Sequence, residues 1–477
     1  MQPDGALALA RFGLGPRPGD TARIAADPRA ALIDELRPEV ALLYRPDLPT
    51  SADALTQLRD LQMERKQARD AAPPDRTASP DKTTPPDKMG AGGTTDATPP
   101  AAAKTAGAMN APARIYQAEL TARLDRAASA DVGYVERLVA FWANHFAVAA
   151  NVGEIERTLV GAFEREAIRP NVLGRFEDML LAATRHPAML AYLNNAVSVG
   201  PDSPAGRRQK RGLNENHARE LMELHTIGVD GGYTQADVTA LAKVLSGWST
   251  SRGDKDNAEI GGFLFRPAAH EPGPQTIMGK VYDQPGEQQG IAVIADLAAS
   301  PATAHHIATK LARAFVADDP PSALVERLTS GFTATGGDLM ALSRTLVTSP
   351  EAWSGPGKFK APQQFLLSSV RALAARPPPA LAMRILRSLG ELAWNPPSPA
   401  GYDTSDATWL APDALMSRLD AAELLAEHAA PDLQPDALGS DVLAGRASPQ
   451  TREAIARAES KTQAFALLLM SPEFQRT

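Results

Sequence analysis

The stretch from Leu213 to Val238, LNENHARELMELHTIGVDGGYTQADV, holds two histidines, an arginine and several carboxylates within two helical segments. Paired carboxylates suit acid–base work, because one can be kept protonated while its neighbour stays ionised. A nearby histidine can move the proton, and an arginine can orient an anionic group. On a helical wheel the cluster divides. Leu213, Asn214, His217, Ala218, Leu221, Met222, Leu224 and His225 share one broad face, whereas Asn216, Arg219, Glu220 and Glu223 share the other. Glu223 and His225 diverge by roughly 160° on a straight helix, so they do not meet on one ion. The polar face is either solvated, with Arg219 and Glu223 as an i,i+4 pair, or the wall of a polar pocket.

His225 falls near the middle of the apolar face, and LVAFWANHFAV (138–148) treats His145 in the same way, setting it among Leu138, Phe141, Trp142 and Ala149. A histidine on an apolar face is usually a packed, hydrogen-bonded core residue. Should the two faces meet in a helical core, His145 and His225, with His270 from RPAAHEPGP, would form an acid–base or metal constellation. Downstream, Gly228 suits a C′ position, and Thr234 with Asp237 reads as a capping box after the Asp230-Gly231-Gly232 turn. DGGYTQAD also resembles half of a calcium loop, with Asp230, Thr234 and Asp237 as oxygen donors. Thr226 and Gly228, however, stand where the first two acidic ligands belong. His305-His306 reads as a surface pair. Trp248, Trp394 and Trp409 are either stacking platforms or, as large aromatics at helix ends more often are, core plugs.

The elements that must position these residues are helical almost throughout. Apolar residues recur at spacings of three and four over 134–148, 174–184, 303–316, 363–374 and 412–428, with Gly or Pro at the ends. The exception is 261–282, where Phe-Leu-Phe and Thr-Ile-Met runs flank a Pro/Gly turn and predict a small β-hairpin or extended segment. The expected fold class is therefore mainly α, a multi-helix globular array with that one hairpin. Residues 71–112 are dominated by Pro, Ala, Thr, Gly and Asp and have little to bury, which predicts a disordered insertion. It separates an N-terminal helical segment, 1–70, which is too small for a robust core and so packs on the main helical domain, 113–477.

Several classes are excluded. The chain has no cysteine, which removes disulfides, thiolate metal sites and a cysteine nucleophile. A net charge of −7 argues against nucleic acid, whose phosphates need a basic footprint; the short run Arg207, Arg208, Lys210 and Arg211 reads as a solvated loop before a helix. No window approaches the ~18 apolar residues of a membrane span, and the first twenty residues lack the pattern of a signal peptide. G-x-S-x-G and H-E-x-x-H are absent, and no glycine-rich loop follows a strand, so the sequence names no cofactor.

Seven blocks, LARFGLGPRPGD (9–20), FWANHFAV (141–148), REAIRPNVLGRF (165–176), RHPAMLAYLNN (185–195), GLNENHARELMELHTIGVDGGYTQADV (212–238), HEPGPQTIMG (270–279) and PPSPAGY (396–402), resemble successive blocks of the bacterial domain of unknown function 1800 family. The resemblance implies a mostly helical protein and an extracytoplasmic role on polysaccharide, since members are often exported and encoded beside sulfatase-like partners. The lack of an export signal here leaves the compartment open. Carried over by position, the family blocks include Asn144, His145, Arg169, Asn214, Asn216, Arg219, Glu220, Glu223, His225, Asp230 and Trp248.

The resulting expectation is a hydrolase or lyase acting on a glycan, related polymer or small molecule. Glu220 and Glu223 would do acid–base work, Arg219 would orient an anionic group, and His145 or His225 would shuttle a proton. Asn144, Asn214, Asn216, Trp248, His270 and Arg169 would bind substrate. A glycosidase pair flanks its bond from two sides, so the second carboxylate would come from elsewhere, such as Glu271 or Asp230. The alternatives are a non-catalytic extracytoplasmic binding or assembly protein and a His/carboxylate metal-dependent enzyme.

Overall fold

The computed structural model describes residues 4–71, 109–209, 212–251, 253 and 260–477. Most of the expected insertion, residues 72–108, and Lys210 and Arg211 of the basic run lie outside the described residues. The fold is mainly α, and among the described residues no helix is long and apolar enough to cross a membrane.

Apolar side chains gather in two cores. The larger takes Leu9, Phe12, Leu32 and Ala54 from the N-terminal segment and joins them to Trp142, Phe176, Leu241, Leu311 and Leu346. The smaller is built by Phe365, Ile385, Leu425, Val442 and Leu468 from the C-terminal helices.

The Tyr134–His145 helix stands between them. Val135, Leu138, Val139, Trp142 and His145 are buried on one side, while Arg137, Ala140, Phe141 and Asn144, at spacings of three and four, look the other way. Gly133 enters the helix at φ +90°, and an added Cβ would lie 2.8 Å from Leu14. The first amides are satisfied from afar: the Glu35 carboxylate accepts from the N–H groups of Val132, Gly133, Tyr134 and Val135 at 2.5–3.2 Å. A carboxylate at a helix N-terminus meets both the unpaired donors and the favourable end of the dipole, so the N-terminal segment fixes this helix.

Two π-helical turns interrupt the helical run, at Glu164–Ile168 and Leu221–His225. The second falls inside a block that carries the family resemblance, and the first runs into the start of another. A π turn shifts the carbonyl register and leaves backbone oxygens for other donors.

Four short strands form two sheets. β1 (Trp248–Thr250) pairs antiparallel with β2 (Phe263–Phe265), and β3 (Gln275–Ile277) with β4 (Lys280–Tyr282). The Phe-Leu-Phe and Gln-Thr-Ile runs are strands but do not pair with each other: the hairpin inside 261–282 is β3–β4, and β2 pairs outside that segment. β2 reaches back to Trp248, and β3 turns at Met278-Gly279, both at positive φ as a two-residue hairpin turn demands. The Met278 amide is held by Asp237 Oδ1 at 2.6 Å.

Candidate functional site

A cleft enclosing ≈ 160 Å³ lies between the two cores. Its walls are the exposed side of the Tyr134–His145 helix, the Pro362–Ala372 helix, and the loop that carries PPSPAGY. Its volume is on the scale of a cavity that accepts one small ring.

The loop is fastened from several sides. Asn144 Nδ2 donates to the Tyr402 carbonyl at 3.0 Å while Asn144 Oδ1 accepts from the Tyr402 amide at 2.7 Å. Gly401, at φ +85°, lets this happen, since a Cβ there would come within 2.4 Å of the Asn144 carbonyl. The single Tyr402 hydroxyl proton is shared between the Leu392 and Asn395 carbonyls, 2.7 and 2.6 Å away. Trp394 sits at φ +52°, its indole N–H donating to Glu164 Oε2 at 2.9 Å.

Beneath the cleft is a buried ion network. Arg169, 1% exposed, makes a bidentate pair with Glu136 at 2.9 Å, reaches Glu164 at 3.0 Å and donates to the Ala41 carbonyl at 2.9 Å. Its whole donor fork is used within the protein. Arg123 Nε pairs with the other Glu164 oxygen at 2.9 Å and lies over Trp394.

The cleft also holds two carboxyl groups with opposed environments. Glu391 accepts a hydrogen bond from the Gln363 amide at 2.8 Å, and burial pushes its carboxyl up to about 7. Asp403, at the exposed rim, is held below its ordinary value by hydrogen bonds from Thr408 and from Ser405. Arg137 lines the same cleft. Its guanidinium donates to the Gly13 carbonyl at 3.2 Å and lies 4.9 Å from the Phe315 ring centre, with no carboxylate partner among the described residues. Burial lowers it to about 10.

Of the residues singled out from sequence, Asn144 and Trp394 line this cleft. Arg169 supports it from below. Arg137, Glu391, Tyr402 and Asp403 were not singled out. Arg137 shares a helical stripe with Phe141 and Asn144, which was a readable signal; a lone glutamate in SLGELAW carries none.

The histidines converge elsewhere. His145 and His225 are 1% and 2% exposed, with ring centres 6.0 Å apart, so the two apolar faces do meet. His145 Nε2 lies 3.1 Å from the His225 carbonyl and His306 Nε2 lies 3.3 Å from the Leu224 carbonyl. A carbonyl only accepts, so both rings donate through Nε2–H. Together they cap oxygens of the 221–225 π turn. His305 is exposed but His306 is half-buried, 6.4 Å from His145. His270 does not join them: it packs on Phe265, with Nδ1 3.0 Å from the Ser246 carbonyl. Among the described residues no group of three His, Asp or Glu side chains is placed to hold a metal ion.

On the opposite face, Arg219 bonds Glu223 at 3.2 Å and Gln235 at 2.7 Å, and Glu215 accepts from Gln235 and Thr239. This network ties the Asn216–Glu220 helix to the Gln235–Leu245 helix. Glu220 and Glu223 are half-buried, and burial, then Glu223, raises the Glu220 carboxyl. Asn214 Oδ1 accepts from the Asn216 amide at 2.9 Å; Asn216 itself is exposed. Trp248 is buried beneath the Arg185 guanidinium at 5.2 Å. The Thr234/Asp237 capping box forms, and it uses the Asp237 oxygens that a calcium site would need. Glu271 is buried, facing Lys243 at 3.5 Å.

Fold and site together define a mainly helical protein with a cleft between two cores. A family model described as "Protein of unknown function (DUF1800)" matches residues 7–476, so the chain belongs to that family. No curated protein and no solved structure matches it.

Proposed function

We propose that this protein is a hydrolase or lyase whose reaction runs in the inter-core cleft, on a glycan unit or a molecule with a ring of similar size. The observation that carries the reading is the pair Glu391 and Asp403. They line one cleft, and their surroundings raise one carboxyl to about 7 while holding the other below its ordinary value. Opposed shifts of this kind separate an acid from a base. In hydrolysis, Glu391 gives its proton to the leaving oxygen as the C–O bond breaks, while Asp403 takes a proton from the water whose oxygen bonds the carbon. In elimination, Asp403 removes a carbon-bound proton, a C=C bond forms, and Glu391 protonates the departing oxygen. This places the acid–base work away from Glu220, Glu223 and Arg219, whose polar face is taken up largely by helix-to-helix bonding.

The test is a panel of aryl glycosides, read by aryl release, and of uronate polymers, read by the ultraviolet absorbance of the unsaturated product. Turnover that is lost in E391Q supports the proposal. Binding of panel members without turnover overturns it in favour of a binding protein. Turnover unchanged in E391Q, or no turnover of any member, also overturns it.

A further inference from the structure

Beside the carboxylates Glu136, Glu391 and Asp403, the region around the cleft gathers basic side chains that have no carboxylate within ion-pair contact. Arg137, Lys360 and Arg418 lie close enough for their charges to oppose one another, and Arg446 and Arg11 continue the set. None of the five makes an ion pair among the described residues. Arg11 is held by the carbonyls of Ala352, Ser354 and Gly355 at 2.7–3.1 Å. Arg418 is held by Gln475 and the Lys360 carbonyl and lies over Phe359 at 4.4 Å. Lys360 sits 3.9 Å from the Phe474 ring centre. Arg446 donates to the Leu443 carbonyl at 3.3 Å. Carbonyls and ring faces hold these groups in place; Glu391 acts on Arg418, and Asp4 and Glu473 on Arg446, only from beyond ion-pair contact, and burial lowers Lys360 well below its ordinary value. Arg123 and Lys358, also in the cleft wall, are by contrast paired with Glu164 and Asp318.

Arg137 alone among the five unpaired cations lines the cleft itself. It spends one of its five N–H groups on Gly13, and the flat guanidinium rests on Phe315. A planar fork held in this way is preorganised for a two-oxygen anion.

We infer that the ligand of this cleft is anionic: a ring-sized compound bearing a carboxylate or a sulfate, whose oxyanion docks on the free edge of Arg137. This deepens the reading above and rests on the same cleft being the site. Arg137 is then a specificity-determining residue, in contact with ligand and outside the proton-transfer steps.

Isothermal titration of the whole protein with glucuronate, glucose 6-sulfate, inorganic sulfate and glucose tests it. At least one anionic probe is expected to bind where glucose does not, and the better of the two charged sugars tells carboxylate from sulfate. R137Q should weaken that probe about 10- to 100-fold, the range for a lost charge-assisted bond. R137K, which keeps the charge but not the fork, should fall between, and it serves if R137Q does not fold by circular dichroism. Equal binding of glucose, wild-type affinity in both variants, or no binding of any anionic probe would overturn the inference. E391Q should still bind the anion. An inactive E391Q beside an R137Q with wild-type affinity sinks the anion assignment alone; an active E391Q beside a weakened R137Q sinks the acid–base reading alone.

Discussion

Asn144 grips both backbone polar groups of Tyr402, donating to its carbonyl at 3.0 Å and accepting from its amide at 2.7 Å. One side chain on the Tyr134–His145 helix thus sets the height of the loop that forms a wall of the cleft. N144A removes both bonds and is expected to destabilise the protein by about 1–3 kcal/mol, two net hydrogen bonds in a partly buried place. N144D keeps the acceptor but turns an oxygen toward the Tyr402 carbonyl, so it should be no better than alanine. Urea unfolding of the two variants checks this; N144D at wild-type stability would show that the carbonyl contact contributes nothing.

Glu391 should leave a mark on the pH profile. Its folded value of about 7 stands above the ordinary 4.5, so its contribution to stability is complete below about 4.5 and is lost as pH rises through 7. The same ionisation removes the proposed proton donor, so the alkaline limb of any turnover should fall near pH 7. E391Q, which cannot ionise, should flatten the stability limb between pH 5 and 8 in thermal melts. A limb that survives in E391Q must come from another group.

Much of the helical scaffold was legible because three-and-four spacing survives in single elements: 134–148, 303–316 and 412–428 each fold as helices within a few residues of the reading. The burial of His145 and His225 was legible for the same reason, as was the Thr234/Asp237 cap. What was hidden depends on distance along the chain. Nothing local to Phe-Leu-Phe names Trp248 as the start of its partner strand, and no spacing rule announces a π turn at 221–225. The cleft was least legible of all. It exists only where two cores meet, and the environments of Glu391 and Arg137 come from residues far away in sequence.

Arg169 offers a test of the floor beneath the site. With Glu136 and Glu164 both buried against it, R169M leaves carboxylates without their main partner in a poorly solvated place. Breaking a buried pair from one side typically costs about 3–5 kcal/mol. R169M should unfold at correspondingly lower urea concentration, with R169K only partly restoring it because an ammonium cannot span both carboxylates. A loss below about 1 kcal/mol would mean that Arg126 and Arg123 already suffice for the two glutamates.

The histidine cluster should make the fold sensitive to acid. Burial lowers His217 and His306 to about 4 and His145 and His225 well below their ordinary 6.5, and the charge of Lys310 opposes protonation of His145, His225 and His306. Their folded values lie below the unfolded one, so the stability they confer is complete above pH 6.5. It is lost as the pH falls toward 4, because the unfolded chain takes up protons that the folded core refuses. His217 isolates the effect, since it is fully buried and neither ring nitrogen has a partner. Its shift corresponds to roughly 3 kcal/mol once both states have titrated. H217L, similar in size and free of polar atoms, should match or exceed wild-type stability at pH 7.5 and gain most of that difference by pH 4.5. H145L and H225L should be worse at pH 7.5. The first removes the donor to the His225 carbonyl, and the second changes the ring that packs 5.0 Å from Phe146. Urea midpoints at pH 7.5, 6 and 4.5 separate the cases. An acid limb equally steep in H217L would place the proton uptake on some other group.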